Sequence, residues 1–448
     1  MGLDEGAILE QRRGVMLEQR RGAIAQIETY AQQSASLLLY QSVLTNDIGQ
    51  AFIALLNALM EGDSIRCAIA YGRWFSALAS CGYSWQHHLI KQMLISDNAF
   101  SQRVQSIPPQ QLTAQLPPSL SAAAQHDLAI LKSLYQLPTE QLGQWMQQVC
   151  GKDAPPAMQL KDESDLPFTF VTTADWATGL SELADYYAHY GVGIFGQYPA
   201  FRWQAGRLVG IAHPDPIRLH ELAAYDHPKQ QLIENTEALL RGYRAQNVLL
   251  YGSRGAGKSS LVKALLNEFG PLGLRLIEVP KADLYNLPQI VEPLSRVPQK
   301  FIIFVDDLSF EEDDEAFKAL KVVLEGGVTA RPQNVVVYAT SNRRHLIREF
   351  FDDRPKPKDA EEIQAWDTVQ EKLSFSDRFG LTLTFTPADQ PTYLAIVREL
   401  ADQAKLTIDV EHLEWRARQW ATRHNGRSGR TARQFVDFLM AEQHGSAD

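Results

Sequence analysis

Residues Gly252-Ser253-Arg254-Gly255-Ala256-Gly257-Lys258-Ser259 place glycines, a lysine and a hydroxyl at the spacing of a phosphate-binding loop. Gly252 and Gly257 let the backbone curl so that its N–H groups face phosphate oxygens. Lys258 supplies a point positive charge for the β- and γ-phosphates. The Ser259 hydroxyl can ligate Mg²⁺. From Ser260 onward the chain reads as a helix, whose N-terminus adds partial positive charge. A second set of chemical groups follows the apolar run Phe301-Ile302-Ile303-Phe304-Val305, where Asp306 and Asp307 emerge together. Asp306 is suited to hold Mg²⁺, directly or through water. Asp307 is suited to polarise an attacking water. A third run, Val335–Thr340, ends in Ser341-Asn342, and the Asn342 amide can orient that water. No Asn-Lys-x-Asp element for guanine is present, so an adenine nucleotide, ATP with Mg²⁺, is the expected ligand.

These groups need a scaffold, and the surrounding sequence describes one. Asn247–Tyr251 reads as a short buried strand and Ser260–Leu266 as a helix with an apolar face. Strand candidates at 247–251, 274–279, 301–305, 334–340 and 381–385 alternate with helices across 216–386, the pattern of a parallel sheet. Ligands bind at the C-terminal edge of such a sheet, where both acids emerge. Helices at Tyr393–Lys405, Val410–Arg423 and Thr431–Glu442 make a helical lid of 387–448. Upstream, 23–190 is helical by periodicity, with Trp74, Trp85, Trp145, Tyr71 and Phe75 as core, and contains a polar linker at 151–166. Between the halves, 191–215 reads as a connecting β-hairpin of Val192–Trp203 and Arg207–Ile211 around Gln204-Ala205-Gly206. The first 22 residues carry a near-duplicate, Ile8–Gly14 and Met16–Gly22. They read as a frayed charged tail, with Met1 and Met16 as alternative starts. The expected fold class is an α/β P-loop core with a C-terminal helical lid, preceded by a mainly α-helical domain.

Composition narrows the function classes. The chain has 448 residues, of which 45% are hydrophobic and 21% charged, enough for two or three domains with cores. A formal net charge of −10 argues against a polyanion binder overall, although a local basic patch stays compatible with it. Cys67, Cys81 and Cys150 lie far apart without metal-ligand spacing, which fits a reducing compartment. With no secretory h-region and no membrane-length apolar run, the cytoplasm is the expected location.

Taken together, the glycine loop, the Asp306-Asp307 strand, Ala339–Arg344, Ser376-Asp377-Arg378-Phe379-Gly380 and the Arg-bearing lid resemble an AAA+ ATPase. Tyr251–Lys263, Val305–Phe310, Leu324–Gly327, Tyr338–Leu346 and Ser376–Gly380 are more narrowly similar to the bacterial AAA+ family DUF815, over about residues 190–440. The resemblance implies that Asn342 is the first sensor and that Arg378 is an arginine finger reaching the nucleotide of a neighbouring subunit. It implies that Arg433, with Arg430 as the alternative, contacts nucleotide within its own subunit. It places Leu219–Asn235, including Tyr225, around the adenine. A homo-oligomer, ring or open ring, that remodels or loads a client protein follows as the expectation. The alternative is a slow switch of helicase-loader type linked to nucleic acid, because Asp307 stands where many motors carry glutamate. The tract Asn342-Arg343-Arg344-His345 with Arg348 fits an interface, a nucleic-acid contact or a pairing with Asp352-Asp353. Arg354–Glu362 reads as a mixed-charge loop.

Overall fold

The computed structural model describes residues 4–150, 175–309, 315–325, 332–342, 378–424 and 426–445. The linker at 151–166, Phe310, Gly326-Gly327, Arg343-Arg344-His345, Arg348, Asp352-Asp353, the run at 354–362 and Ser376-Asp377 lie outside them. The chain divides into two compact units, Met1–Gly196 and Gln197–Asp448.

The first unit is all helix among the described residues. Its first helix runs unbroken from Asp4 to Ala35, so the expected frayed tail is helical. Residues 14–22 are exposed on every side, so no apolar face announces the helix. Its Leu, Glu, Gln, Ala and Arg residues are good helix formers and outweigh the cost of Gly14 and Gly22 within it. Trp74, Trp85, Trp145 and Tyr71 are buried and Phe75 packs against the same core. Phe52 stacks on Trp85 at 4.4 Å. A fully buried carboxylate, Asp127, ties the unit together. It accepts from the backbone N–H groups of Leu38 at 2.9 Å, Leu39 at 2.7 Å and Tyr40 at 2.9 Å. Three N–H donors replace the water that burial removes. The Tyr40 and Tyr187 hydroxyls meet at 3.0 Å, and Tyr187 donates to the Met93 carbonyl at 2.8 Å.

His88 packs against Trp85 in this core, and its Nε2 has no hydrogen-bond partner. Burial first, then the charges of Lys91 and His87, push its pKa down from 6.5 to about 4. The folded imidazole therefore stays neutral while the unfolded one takes up a proton. Its contribution to stability is full above pH 6.5 and is lost as pH falls towards 4, by about 1.4 kcal/mol per unit and roughly 3 kcal/mol in all. Denaturant unfolding of the full chain, followed by tryptophan fluorescence between pH 7 and 4, should show this slope. His88→Leu should reduce it.

Among the described residues, the second unit is built on a seven-stranded sheet. Its strands are β1 (Ala200–Gln204), β2 (Arg207–Ile211), β3 (Val248–Gly252), β4 (Leu274–Glu278), β5 (Lys300–Val305), β6 (Val335–Ser341) and β7 (Leu381–Phe385). They lie in the order β2-β1-β4-β5-β6-β3-β7. All pairs are parallel except β1 with β2. Every residue of β6 and Phe301–Val305 of β5 are buried, as expected where helices cover both faces of a parallel sheet. The hairpin differs from the sequence reading in two ways. Ile194–Gln197 is a short helix and the first strand starts only at Ala200. The hairpin is also not a bare connector: β1 pairs in parallel with β4, at Ala200–Leu276 through Arg202–Glu278, and extends the sheet. The buried side chains of Phe201 and Trp203 hold it there. Three lid helices, Gln390–Gln403, Val410–Arg423 and Gly429–Gly445, share a separate core of Tyr393, Val397, Leu413, Phe435 and Val436.

Candidate functional site

The sheet order places the site. The strand before the glycine loop, β3, pairs with β6, and β6 pairs with the Asp-Asp strand β5. The end of β6 therefore lies between loop and carboxylates, and Asn342 can reach both. The loop itself is forced by two glycines. At Gly252 (φ 144°) an added Cβ would lie 1.9 Å from the Phe385 carbonyl oxygen, so only glycine lets β3 turn against the end of β7. Gly257 (φ 84°) makes the left-handed step into the helix Lys258–Phe269.

Lys258 is 6% exposed and folds back over the loop. Its Nζ donates to the carbonyls of Gly252 at 2.9 Å and Ser253 at 2.8 Å, and to Asn342 Oδ1 at 3.2 Å. Burial pulls its pKa down, while Asp306 and Asp307 pull the other way. Asn342 Nδ2 donates to Asp307 Oδ1 at 2.7 Å. One amide thus links the lysine to a carboxylate. Ser259 Oγ donates to Asp306 Oδ1 at 2.6 Å. A hydroxyl, a carboxylate and incoming phosphates form the oxygen set that Mg²⁺ uses at nucleotide sites. Asp307 has φ 51°, a left-handed conformation that aspartate tolerates better than most residues.

Lys258, Ser259, Asp306, Asp307 and Asn342 line one cavity of about 740 Å³, whereas Gly252 and Ser253 do not line it. Its loop end carries Arg254, Lys258, Arg430 and Arg433 against Asp306 and Asp307, an excess of positive charge that suits a polyphosphate with a divalent cation. Gly255, Ala256 and Ser260 also line it. Arg430 touches the loop through its backbone, whose N–H donates to the Gly255 carbonyl at 3.2 Å. The other end is lined by Ile217, Leu222–Tyr225, Ile396 and Leu400. Ala224 (φ 65°) and Tyr225 (φ 61°) are both left-handed there. Tyr225 is pinned by donating to the Thr386 carbonyl at 2.7 Å and by its ring packing on Phe385.

Arg378 does not line the cavity. It precedes β7, whose C-terminal residue Phe385 is the one beside Gly252, so it stands at the opposite edge of the sheet. Five strand residues alone span about 17 Å, beyond the reach of one side chain. The sequence reading passed over Thr340 and Ile217 and covered Lys229 only within the segment Leu219–Asn235. Thr340 has a local signal, a hydroxyl inside a buried apolar strand. Ile217 reaches the site through the path of the 215–225 segment and Lys229 from the helix Asp226–Leu240 that follows it, and no short motif reports either.

Among known proteins, the family profile described as Protein of unknown function (DUF815) matches residues 196–443. The chain belongs to the DUF815 family. The glycine loop, the Asp-Asp strand, the amide-bearing strand between them and the helical lid make this DUF815 unit an AAA+ P-loop ATPase core. A replication factor C large subunit from Staphylothermus marinus is 30% identical over 131 residues, 27% of this chain and 30% of that protein. A RuvB variant from Thermotoga maritima has a TM-score of 0.34 and 17% identity, over 50% of this chain and 64% of that one. The FIGL-1 AAA domain in complex with ADP has a TM-score of 0.35 and 18% identity, over 50% of this chain and 72% of that one. The chain thus spans 30% of the replication factor C subunit's length and 64% of the RuvB variant's, less than two thirds of either. Among the described residues, no helix of the DUF815 chain is long and apolar enough to cross a membrane.

Proposed function

We propose that this DUF815 protein binds ATP with Mg²⁺ in the cavity and hydrolyses it at a boundary between two subunits, to remodel or load a partner protein. The observation that carries the reading is the connected set Lys258–Asn342–Asp307 beside Ser259–Asp306. Lys258 exchanges its loop carbonyls for β- and γ-phosphate oxygens. Asn342 then orients a water towards Asp307, which takes its proton. Mg²⁺, when bound through Ser259 and Asp306, neutralises charge developing on the phosphates. Arg430 and Arg433 supply charge from the lid. Arg378, on the far edge of the sheet, serves the nucleotide of a neighbouring copy, which is why hydrolysis would need an oligomer.

Asp307, one methylene shorter than glutamate, favours a second reading: slow, switch-like turnover tied to nucleic acid. The likeness to part of a replication factor C large subunit supports the nucleic-acid half of that reading. Purified protein should hydrolyse ATP in a Mg²⁺-dependent way, and Lys258→Ala should lower turnover by about 10²-fold or more, since phosphate positioning is most of the catalysis. Turnover that ignores Lys258→Ala would overturn the reading. Slow turnover that labelled DNA or RNA accelerates would favour the second.

A further inference from the structure

We propose that Thr340 is a positioning residue that sets both carboxylates of the site at once: the metal-facing orientation of Asp306 and the water-facing conformation of Asp307. This rests on the ATP–Mg²⁺ reading above. Thr340 is the sixth residue of β6 and 2% exposed. Its hydroxyl has one proton and two lone pairs. The backbone N–H of Asp307 lies 2.9 Å from Oγ1, and an N–H can only donate, so Thr340 accepts there. Its own proton goes to Asp306 Oδ1. One hydroxyl is thus hydrogen-bonded to two consecutive residues in opposite senses. The Thr340 carbonyl also accepts from Leu308 N–H at 2.7 Å, so residues 306, 307 and 308 are all registered on residue 340.

Two consequences follow from the chemistry. Asp306 Oδ1 accepts from Thr340, from Ser259 at 2.6 Å and from Asp307 N–H at 3.2 Å. Among the described residues no donor meets Oδ2, so the carboxylate is rotated to offer that oxygen to a cation or to its water. Mg²⁺ demands near-ideal octahedral geometry, so an error in that rotation weakens its binding. Asp307, meanwhile, holds a left-handed φ of 51°, and such a conformation persists only where the surroundings over-determine it. Thr340 Oγ1 on its N–H and Asn342 on its side chain supply that constraint. Ser259 and Asn342 remain in place without Thr340, so its loss should disturb orientation while leaving the phosphate loop intact.

The test compares Thr340→Val, which keeps the shape without the hydroxyl, with Thr340→Ser, which keeps the hydroxyl. The probe is a fluorescent methylanthraniloyl-ADP, titrated first in EDTA and then against Mg²⁺. In EDTA all three proteins should bind it equally, within about twofold, because Lys258 and the glycine loop carry the phosphates. The Mg²⁺ concentration that half-saturates the tightening should rise about 10- to 100-fold in Thr340→Val, the range for lost outer-shell partners of a metal ligand. Thr340→Ser should restore it. An unchanged Mg²⁺ midpoint in Thr340→Val, or a Thr340→Ser variant as impaired as Thr340→Val, overturns the role of Thr340 alone. A wild type that binds the probe with no response to Mg²⁺ overturns both this role and the proposed function. Should Thr340→Val fail to fold, Thr340→Ala against Thr340→Ser makes the same comparison.

Discussion

Arg378→Ala is expected to leave nucleotide binding intact and to lower ATP turnover by about 10³- to 10⁵-fold, the range for arginine fingers. The reason is placement. Gly252 lies beside Phe385 at the C-terminal end of β7, and Arg378 stands before that strand's first residue. An arginine there has no route to its own cavity across the length of β7, so under the proposed shared site its role would be on a neighbouring copy's nucleotide. Mixing gives the decisive measurement. Lys258→Ala subunits keep the finger but lose the site; Arg378→Ala subunits keep the site but lose the finger. Equal mixtures should recover hydrolysis, because about a quarter of head-to-tail contacts would pair an intact site with an intact finger. Two inactive variants that stay inactive together, or an Arg378→Ala protein with wild-type turnover, would refute the shared site.

Asp307→Asn should reduce turnover by about 10²- to 10⁴-fold, the usual contribution of a positioned base, while ATP affinity stays within a few-fold of wild type. The structure makes this a clean substitution. Asn342 Nδ2 donates to Asp307 Oδ1 at 2.7 Å, and an asparagine can present its amide oxygen to the same donor. Asparagine also tolerates the left-handed backbone that residue 307 adopts. What is removed is the carboxylate's charge and with it the capacity to take a proton. Comparing turnover with equilibrium ATP binding checks it. A variant that turns over normally would remove Asp307 from the base role, and one that loses binding would make it structural. The same variant, holding ATP, is the natural bait for the client.

Much of the scaffold could be read from local pattern. The five strands proposed between 247 and 385 occur within a residue or so of their expected limits, and so does the lid helix Val410–Arg423. Buried parallel strands are continuous apolar runs, and such runs are visible without knowing their partners. The N-terminal helix Asp4–Ala35 was not visible in this way, because residues 14–22 have no buried face to create a period. The short helix Ile194–Gln197 was missed for a related reason: it lies in an apolar stretch too short for one period to prevail over another.

The loop chemistry was written in the sequence itself, because glycine conformations and a helix N-terminus are properties of neighbouring residues. Gly257, Lys258 and Ser259 need only each other and the strand before them, while Gly252 is also demanded by the Phe385 carbonyl at the end of β7. What the tertiary structure decided is which groups meet that loop. The sheet order sets β6 between β3 and β5, so Asn342 joins Lys258 to Asp307 and Thr340 joins Asp306 to Asp307. It sets Arg378 at the far edge, outside the cavity. Pairing between distant strands depends on burial and packing summed over the whole sheet. No stretch of sequence near residue 258 carries that information.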